Sequence, residues 1–219
     1  MLEINKVYCG DCLDIMKEIP DKSIDLVLTD PPYGIDIGKM NFTNSVDGGV
    51  AKRNDYKGKA DWDKETPTKE YFEQIFRISK NQIIFGGNYF TDKLSSSGCW
   101  IIWDKRVEDK YSNDFADCEM AWTSFKKPSR IIRYLWSGML QGNMQAKEKR
   151  QHPTQKPTEV IRKILNDFSE PNQTILDPFL GSGTTAIACQ ELHRNFIGIE
   201  ISPEYCKIAE DRLKQKPLL

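Results

Sequence analysis

Two periods of apolar spacing alternate along this chain, and the change from one to the other marks its elements. Ile24-Asp25-Leu26-Val27-Leu28-Thr29 is a short apolar run of the kind buried in a parallel sheet. Comparable runs predict strands over 7–9, 82–85, 99–103, 119–125, 130–135, 174–177 and 195–200. Helical spacing takes over at 13–18, at 69–80 (Tyr71, Phe72, Ile75, Phe76 and Ile78), at 157–168, at 186–192 and at 203–215. Pro157 and Glu159 are start signals for the third of these helices, and Gly86-Gly87 is a tight exit from the strand 82–85. Alternation of this sort predicts an α/β fold with a doubly wound, mostly parallel sheet. The runs 119–125 and 130–135, joined by Lys126-Lys127-Pro128-Ser129, predict an antiparallel hairpin inside it. Two stretches, 34–63 and 136–151, have no period, and irregular segments this long usually serve function.

Length and composition narrow the class. At 219 residues the chain reads as a single domain, 1–219, and 39% hydrophobic with 29% charged residues excludes wholesale disorder. No apolar run is long enough to cross a bilayer and the N-terminus lacks a signal core, so a cytoplasmic protein without membrane association is expected. Six cysteines are scattered, and only Cys9 and Cys12 are close; no second pair completes a zinc site, so reduced thiols and no metal are expected. Trp100, Trp103 and Trp122 lie in strand patterns and read as core. Trp136, beside Gly138 and basic residues, reads either as core or as a surface contact.

Chemistry enters at Asp30-Pro31-Pro32-Tyr33, which follows the 24–29 strand. Ligands of open α/β sheets sit at the carboxyl ends of strands, where this places Asp30. Two prolines stiffen the loop and leave its carbonyls free to accept. A carboxylate, free carbonyls and an aromatic ring suit a planar group bearing an amine. Taken alone, an Asp-Pro turn with a locally packed Tyr explains the tetrapeptide equally well. A second motif changes the balance. Leu176-Asp177-Pro178-Phe179-Leu180-Gly181-Ser182-Gly183-Thr184-Thr185 leads from a strand through a Gly-rich turn into a helix, whose first amides suit an anion. No Gly-Lys-Ser/Thr follows, so it is not a phosphate loop, and the third glycine of a dinucleotide turn is absent. The next strand ends at Glu200, where an acid can bond ribose hydroxyls.

Together these two motifs resemble the S-adenosyl-L-methionine-dependent DNA amino-methyltransferases. The catalytic motif precedes the cofactor motif, as in that family's permuted β-group, which implies a circularly permuted Rossmann-like fold. His152-Pro153-Thr154-Gln155-Lys156-Pro157 and Gly10-Asp11-Cys12-Leu13-Asp14-Ile15-Met16 resemble two further segments of the group. The resemblance implies that Asp30, Pro31, Pro32 and Tyr33 are catalytic, with Asp30 and a Pro31 carbonyl holding the target amine and Tyr33 stacking on a flipped base. It implies that Asp177, Phe179, Gly181, Gly183 and Thr184 line the cofactor and Glu200 takes the ribose. Asp11 and Cys12 would meet the adenine, and Thr154, Gln155 and Lys156 the methionine end. Lys156 also reads as a solvated charge opening a helix. A double-stranded DNA partner and a homodimer are implied as well.

Net charge is −1, which does not announce a nucleic-acid partner, but its distribution is uneven. Lys126, Lys127, Arg130, Arg133, Lys147, Lys149 and Arg150 face one acid, Glu148, in a single span. Lys52, Arg53, Lys57 and Lys59 form a second basic cluster. Charge runs are usually solvated faces; flanking a base-binding motif, they predict phosphate contacts from the loops 34–63 and 136–151. Carbon-5 methylation of cytosine needs a cysteine in a Pro-Cys setting, and no Pro-Cys pair occurs. Adenine N6 is the expected acceptor, because Asp at the first motif position leans that way within the family. Cytosine N4, a structured RNA, and a non-catalytic DNA-binding role remain as alternatives.

Overall fold

The computed structural model describes residues 2–35, 63, 65–106, 116–137, 140–145, 147–151 and 154–215. Its strands are β1 (Lys6–Cys9), β2 (Ile24–Thr29), β3 (Ser79–Phe85), β4 (Trp100–Asp104), β5 (Cys118–Thr123), β6 (Arg130–Arg133), β7 (Trp136–Ser137), β8 (Leu140–Gln141), β9 (Thr174–Asp177) and β10 (Asn195–Glu200). Helices are α1 (Cys12–Met16), α2 (Lys69–Ile78), α3 (Thr158–Phe168), α4 (Thr184–Glu191) and α5 (Pro203–Lys214). Eight strands form one sheet in the order β1-β10-β9-β2-β3-β5-β4-β6, and β7 and β8 form a small ladder apart.

Strand alternation sorts the core into two layers. Val27, Ile84, Leu176 and Ile197 point to the face covered by α1 and α2, through Met16, Tyr71, Phe72, Ile75 and Ile78. Leu26, Leu28, Ile83 and Ile175 point to the face covered by α3, α4 and α5, through Val160, Ile161, Ile164, Leu165, Ala186 and Ala209. Burying each of the larger side chains contributes about 1.5–3 kcal/mol, so both helix layers are anchored by their apolar stripes. From β2 the chain runs through α2 to β3; from β9 it runs through α4 to β10, on the opposite side of the sheet. β2 and β9 are themselves parallel neighbours, with Val27 opposite Leu176. The crevice above their carboxyl ends is therefore the topological switch point, where sheets of this type bind ligands.

Two expectations need correction. The runs 119–125 and 130–135 do not pair. β5 lies antiparallel between β3 and β4, with Ile84 opposite Trp122 and Ile101 opposite Ala121, so both of its edges are taken. β6 is left to add outside β4 in parallel, Ile101 opposite Arg130, and Ser129 Oγ accepts from the Trp100 amide to seat it. The antiparallel hairpin is β4–β5 instead. The helix expected over 69–80 ends at Ile78 and continues without a turn into β3. Ser79 Oγ donates to the Ile75 carbonyl and Gln82 Nε2 to the Ser79 carbonyl, which satisfies the helix end locally.

Candidate active site

Asp30 follows the last residue of β2. Its Oδ1 accepts from Tyr33 OH at 2.6 Å, and its Oδ2 meets the Lys156 ammonium in a very short contact. The same ammonium stands 3.1 Å from Glu119 Oε2, and Glu119 Oε1 accepts from Lys105 Nζ at 3.2 Å. Two carboxylates and two ammonium groups thus share one partly buried cluster. Burial raises the Asp30 carboxyl above its ordinary value against the pull of Lys156. Burial also opposes charge on Glu119 and Lys156, but the facing opposite charges win: Glu119 is lowered and Lys156 raised, so both are held ionised.

Tyr33 is fixed from every side. Its amide donates to Asp63 Oδ1 at 2.8 Å, and that oxygen also accepts from the Gly34 amide. Tyr89 stacks on the ring, 4.9 Å between centroids and 14° between planes. Gly86, at φ +68, presses its backbone on the same ring; a Cβ there would fall 2.1 Å from Tyr33 Cε1, so only glycine fits.

Beside this loop lies a cavity of about 240 Å³, walled by the Gly10–Leu13 segment, Pro32, Glu65 to Thr68, Tyr71, Pro178, Phe179, Glu200 and Ile201. Glu200 is aimed by two amides, Gly181 N–H on Oε2 and Ser202 N–H on Oε1, each at 2.8 Å. Asp11 caps α1 by accepting from the Leu13 amide at 2.7 Å. Phe179 stands against Tyr71, with 5.0 Å between ring centroids. Burial, then the Asp11 carboxylate, pushes the Cys12 thiol up to about 12, so its sulfur stays protonated and offers no nucleophile.

Asp177 does not share that wall. Its Oδ2 accepts from Thr185 Oγ1 at 2.7 Å and its Oδ1 from the Phe179 amide at 3.1 Å. Burial pushes its carboxyl up to about 7. Gly181 and Gly183 hold left-handed φ values of +55° and +89°, which bend the turn over it, and a Cβ on Gly183 would strike Ala209. Thr184 is buried at the start of α4.

The expected residues therefore divide. Pro32 and Tyr33 hold the loop in place around Asp30, while Asp11, Cys12, Phe179 and Glu200 join Pro32 around the cavity. Asp177, Thr184, Gly181 and Gly183, expected against the cofactor, form the turn that carries Phe179 and do not themselves wall this cavity. Gln155 accepts from Ser182 Oγ in the Gly-rich turn and donates to Glu148 Oε1. Lys156 is 8% exposed, which overturns its reading as a solvated charge. Thr154 does not line the cavity.

The basic residues divide as well. Lys52, Arg53, Lys57 and Lys59 lie outside the described residues, as does most of the loop 34–63. Lys126, Lys127 and Arg130 sit at the amino edge of the sheet, where Lys127 Nζ donates to the Asp167 carbonyl at the end of α3. That edge is opposite the Asp30 loop, because β5 runs antiparallel and carries 124–129 away from it. Arg133 ends β6 at the site's edge, 3.7 Å from Asp104. Arg150 covers Trp136 with its guanidinium 4.5 Å from the ring centroid. Trp136 is buried in the β7–β8 ladder, so the surface reading of this residue is withdrawn. Trp100, expected in the core, is partly exposed, with its indole N–H on the Ser97 carbonyl.

Glu119, Lys105, Asp63 and Tyr89 were not expected. Glu119 is a lone acid at the head of an apolar strand, a signal that only a neighbour across the sheet explains. Glu148 was counted merely as the one acid in a basic span; it accepts from the Thr158 amide, Gln155 and Arg212, closing the start of α3 over Ser182. Among the described residues no helix is long and apolar enough to span a membrane, and no acidic, Cys or His cluster could hold a metal.

Comparison with known proteins agrees with this geometry. The family model for DNA methylases matches residues 101–211. Type II methyltransferase M.HinfI of Haemophilus influenzae is 31% identical, covering 97% of this chain and 69% of its own. Among solved structures, a complex of M1.HpyAVI with S-adenosylmethionine is 22% identical with a TM-score of 0.58, covering 96% of this chain and 99% of that one. The PvuII cytosine-N4-specific DNA methyltransferase is 16% identical with a TM-score of 0.64, covering 97% and 87%. With its Asp-Pro-Pro-Tyr loop and Gly-rich turn meeting at one switch point and relatives of this kind spanning its length, the chain belongs to the DNA methylase family, the S-adenosylmethionine-dependent N6 and N4 amino-methyltransferases.

Proposed function

We propose that the protein methylates the exocyclic N6 of an adenine flipped out of double-stranded DNA. The observation that carries this reading is the shared loop: the tetrapeptide bearing Asp30 also walls, through Pro32, the cavity that holds Glu200 and Phe179. That cavity fits a nucleoside. Glu200, aimed by two amides, would take the ribose hydroxyls, Phe179 and Pro178 would flank the base, and Asp11 would meet its amine. Bound there, S-adenosylmethionine would supply an electrophilic methyl on its sulfonium, with a neutral thioether as the leaving group.

The adenine amine is a poor nucleophile, because its lone pair is delocalised into the ring. Asp30 and the Pro31 carbonyl, each accepting one amino hydrogen, favour a tetrahedral nitrogen whose lone pair is free. As the nitrogen–carbon bond forms, positive charge grows on that nitrogen, and the fixed carboxylate stabilises it before the extra proton is lost. No enzyme nucleophile is needed. Flipping the base costs a few kcal/mol, and stacking on Tyr33 in place of the exposed Tyr89 ring would return about 1–3 kcal/mol. Phosphate contacts from the carboxyl edge (Arg133, Lys147, Lys149) supply the remainder.

The fold is shared with the PvuII enzyme, whose acceptor is cytosine N4, so the architecture leaves the base open and Asp30 favours adenine. The test is to incubate the purified protein with labelled cofactor and duplex DNA, then digest and identify the modified nucleoside. N6-methyladenine is expected. N4-methylcytosine would replace the acceptor, label only in structured RNA would replace the substrate, and failure to bind cofactor would revive a purely DNA-binding role.

A further inference from the structure

The carboxylate at Asp30 already carries a donor on each oxygen: Tyr33 OH on Oδ1 and the Lys156 ammonium on Oδ2. An incoming amine must share these oxygens with them or displace one. Displacing the ammonium matters more, since a cation on Asp30 cancels the charge that would stabilise the developing cation on the acceptor nitrogen. Lys156 cannot simply retreat into water. It is 8% exposed, and its Nζ lies 5.7 Å from the Tyr33 ring centroid and 5.2 Å from that of Phe85. A second acceptor stands beside it. Glu119 Oε2 is shut off from solvent and already stands 3.1 Å from the same ammonium, an ion pair whose alignment falls short of a full hydrogen bond. Lys105 holds the other oxygen of Glu119 at 3.2 Å, with its own ammonium 5.9 Å from the centroid of the Trp103 ring, so the carboxylate is fixed from β4 and β5. A buried acceptor with a poorly aligned donor gains by a closer approach, and this one faces the cation that must move.

We propose that Glu119 is a positioning residue for the reaction: it receives the Lys156 ammonium when the target amine engages Asp30, leaving Asp30 fully charged toward the acceptor. The inference rests on reading Asp30 as the amine's acceptor. The transfer needs no proton, because two carboxylates and two ammonium groups remain paired before and after. It also explains why a lysine stands against the reactive carboxylate without disabling it. A merely structural Glu119 would do no more than hold Lys156 in place.

The experiment uses a duplex carrying the sequence that the wild-type protein methylates in genomic DNA. Under single turnover, Glu119→Gln is expected to slow methylation about ten- to a hundredfold, with cofactor affinity and melting temperature nearly unchanged. Removing the stranded cation as well, in Glu119→Gln/Lys156→Met, is expected to recover at least tenfold over the single variant. Without cofactor, 2-aminopurine at the target position reports base engagement, which should weaken in Glu119→Gln and return in the double variant. Should Glu119→Gln lose its fold, Glu119→Asp paired with Lys156→Met provides the same comparison. A double variant no faster than the single, beside an active wild type, overturns this inference alone. A wild-type protein that transfers no methyl to DNA overturns the reading of Asp30 and this inference with it.

Discussion

Asp30-Pro31 and Asp177-Pro178 are the same dipeptide at the same place, the carboxyl ends of two neighbouring parallel strands. Their carboxylates live differently. Asp30 is partly open, with an ammonium on one oxygen and a phenol on the other. Asp177 is 5% exposed and accepts from the Thr185 hydroxyl on α4 and the Phe179 amide of its own turn, with no cation against it among the described residues. After Asp177 two left-handed glycines fold the chain back, so Thr185 on α4 reaches the carboxylate and closes it in. After Asp30 no glycine intervenes before Gly34; Pro32 and Tyr33 hold the loop out, and charges from β5 and residue 156 approach it. An Asp-Pro at a strand end delivers a carboxylate to the crevice. What comes next decides whether it works on a ligand or on the backbone.

The largest effect is expected on the chemical side of this pair. Asp30→Ala should lower methylation at least about a hundredfold, the scale of losing one preorganised electrostatic contact, while cofactor affinity changes less than about twofold. Equal loss of cofactor binding would mean that the two aspartates do not divide their work.

The architectural partner should reveal itself in stability. Asp177 is raised in the folded state, from an ordinary 3.8 to about 7. Its contribution is thus fully present below pH 3.8, declines as pH rises, and is lost above about 7. The span corresponds to roughly 4 kcal/mol at most, at about 1.36 kcal/mol per unit. Asp177→Asn, which cannot ionise, should gain stability over wild type in urea as pH rises from 5 to 7, then hold that gain at pH 8. A gap that stays flat with pH would show Asp177 to be no more burdened than Asp30.

Smaller effects probe the loop around Asp30. Tyr33→Ala should weaken engagement of a flipped base by about 1–3 kcal/mol, read by 2-aminopurine fluorescence. Gly86→Ala should approach the same loss by driving its Cβ into the Tyr33 ring. If Gly86→Ala matches wild type, the ring is not held as its contacts indicate. The smallest effect contrasts the two edges of the sheet. Removing Arg133 or Lys149 should reduce the salt dependence of DNA binding by about one counterion each, and removing Lys126 or Lys127 should leave it unchanged. The reverse pattern would move DNA to the amino edge.

Much of the frame was readable from local pattern. β2, β9 and β10 follow their apolar runs residue for residue, because strands buried on both faces need nothing but apolar side chains. The pairing of β5 was not readable. A run such as 119–125 has two usable edges, and which neighbours fill them depends on strands distant in sequence. Counting charges could not say which edge Lys126, Lys127 and Arg130 occupy, for a related reason: proximity along the chain ignores the direction in which a strand carries it. Lys156 was noticed as chemistry, yet its partner at position 30 lies 126 residues away.

From the chain alone came the chemical vocabulary: an Asp-Pro-Pro-Tyr loop, a Gly-rich turn, an acid closing the following strand, and the order in which they occur. Those depend on side-chain type, short-range spacing and backbone stiffness, all properties of adjacent residues. The folded molecule alone decided which of two identical dipeptides carries an ammonium, that Glu119 stands beside it, and which basic residues share its edge. Such matters depend on which strands become neighbours and on which groups lose their water, and both arise only when distant segments pack.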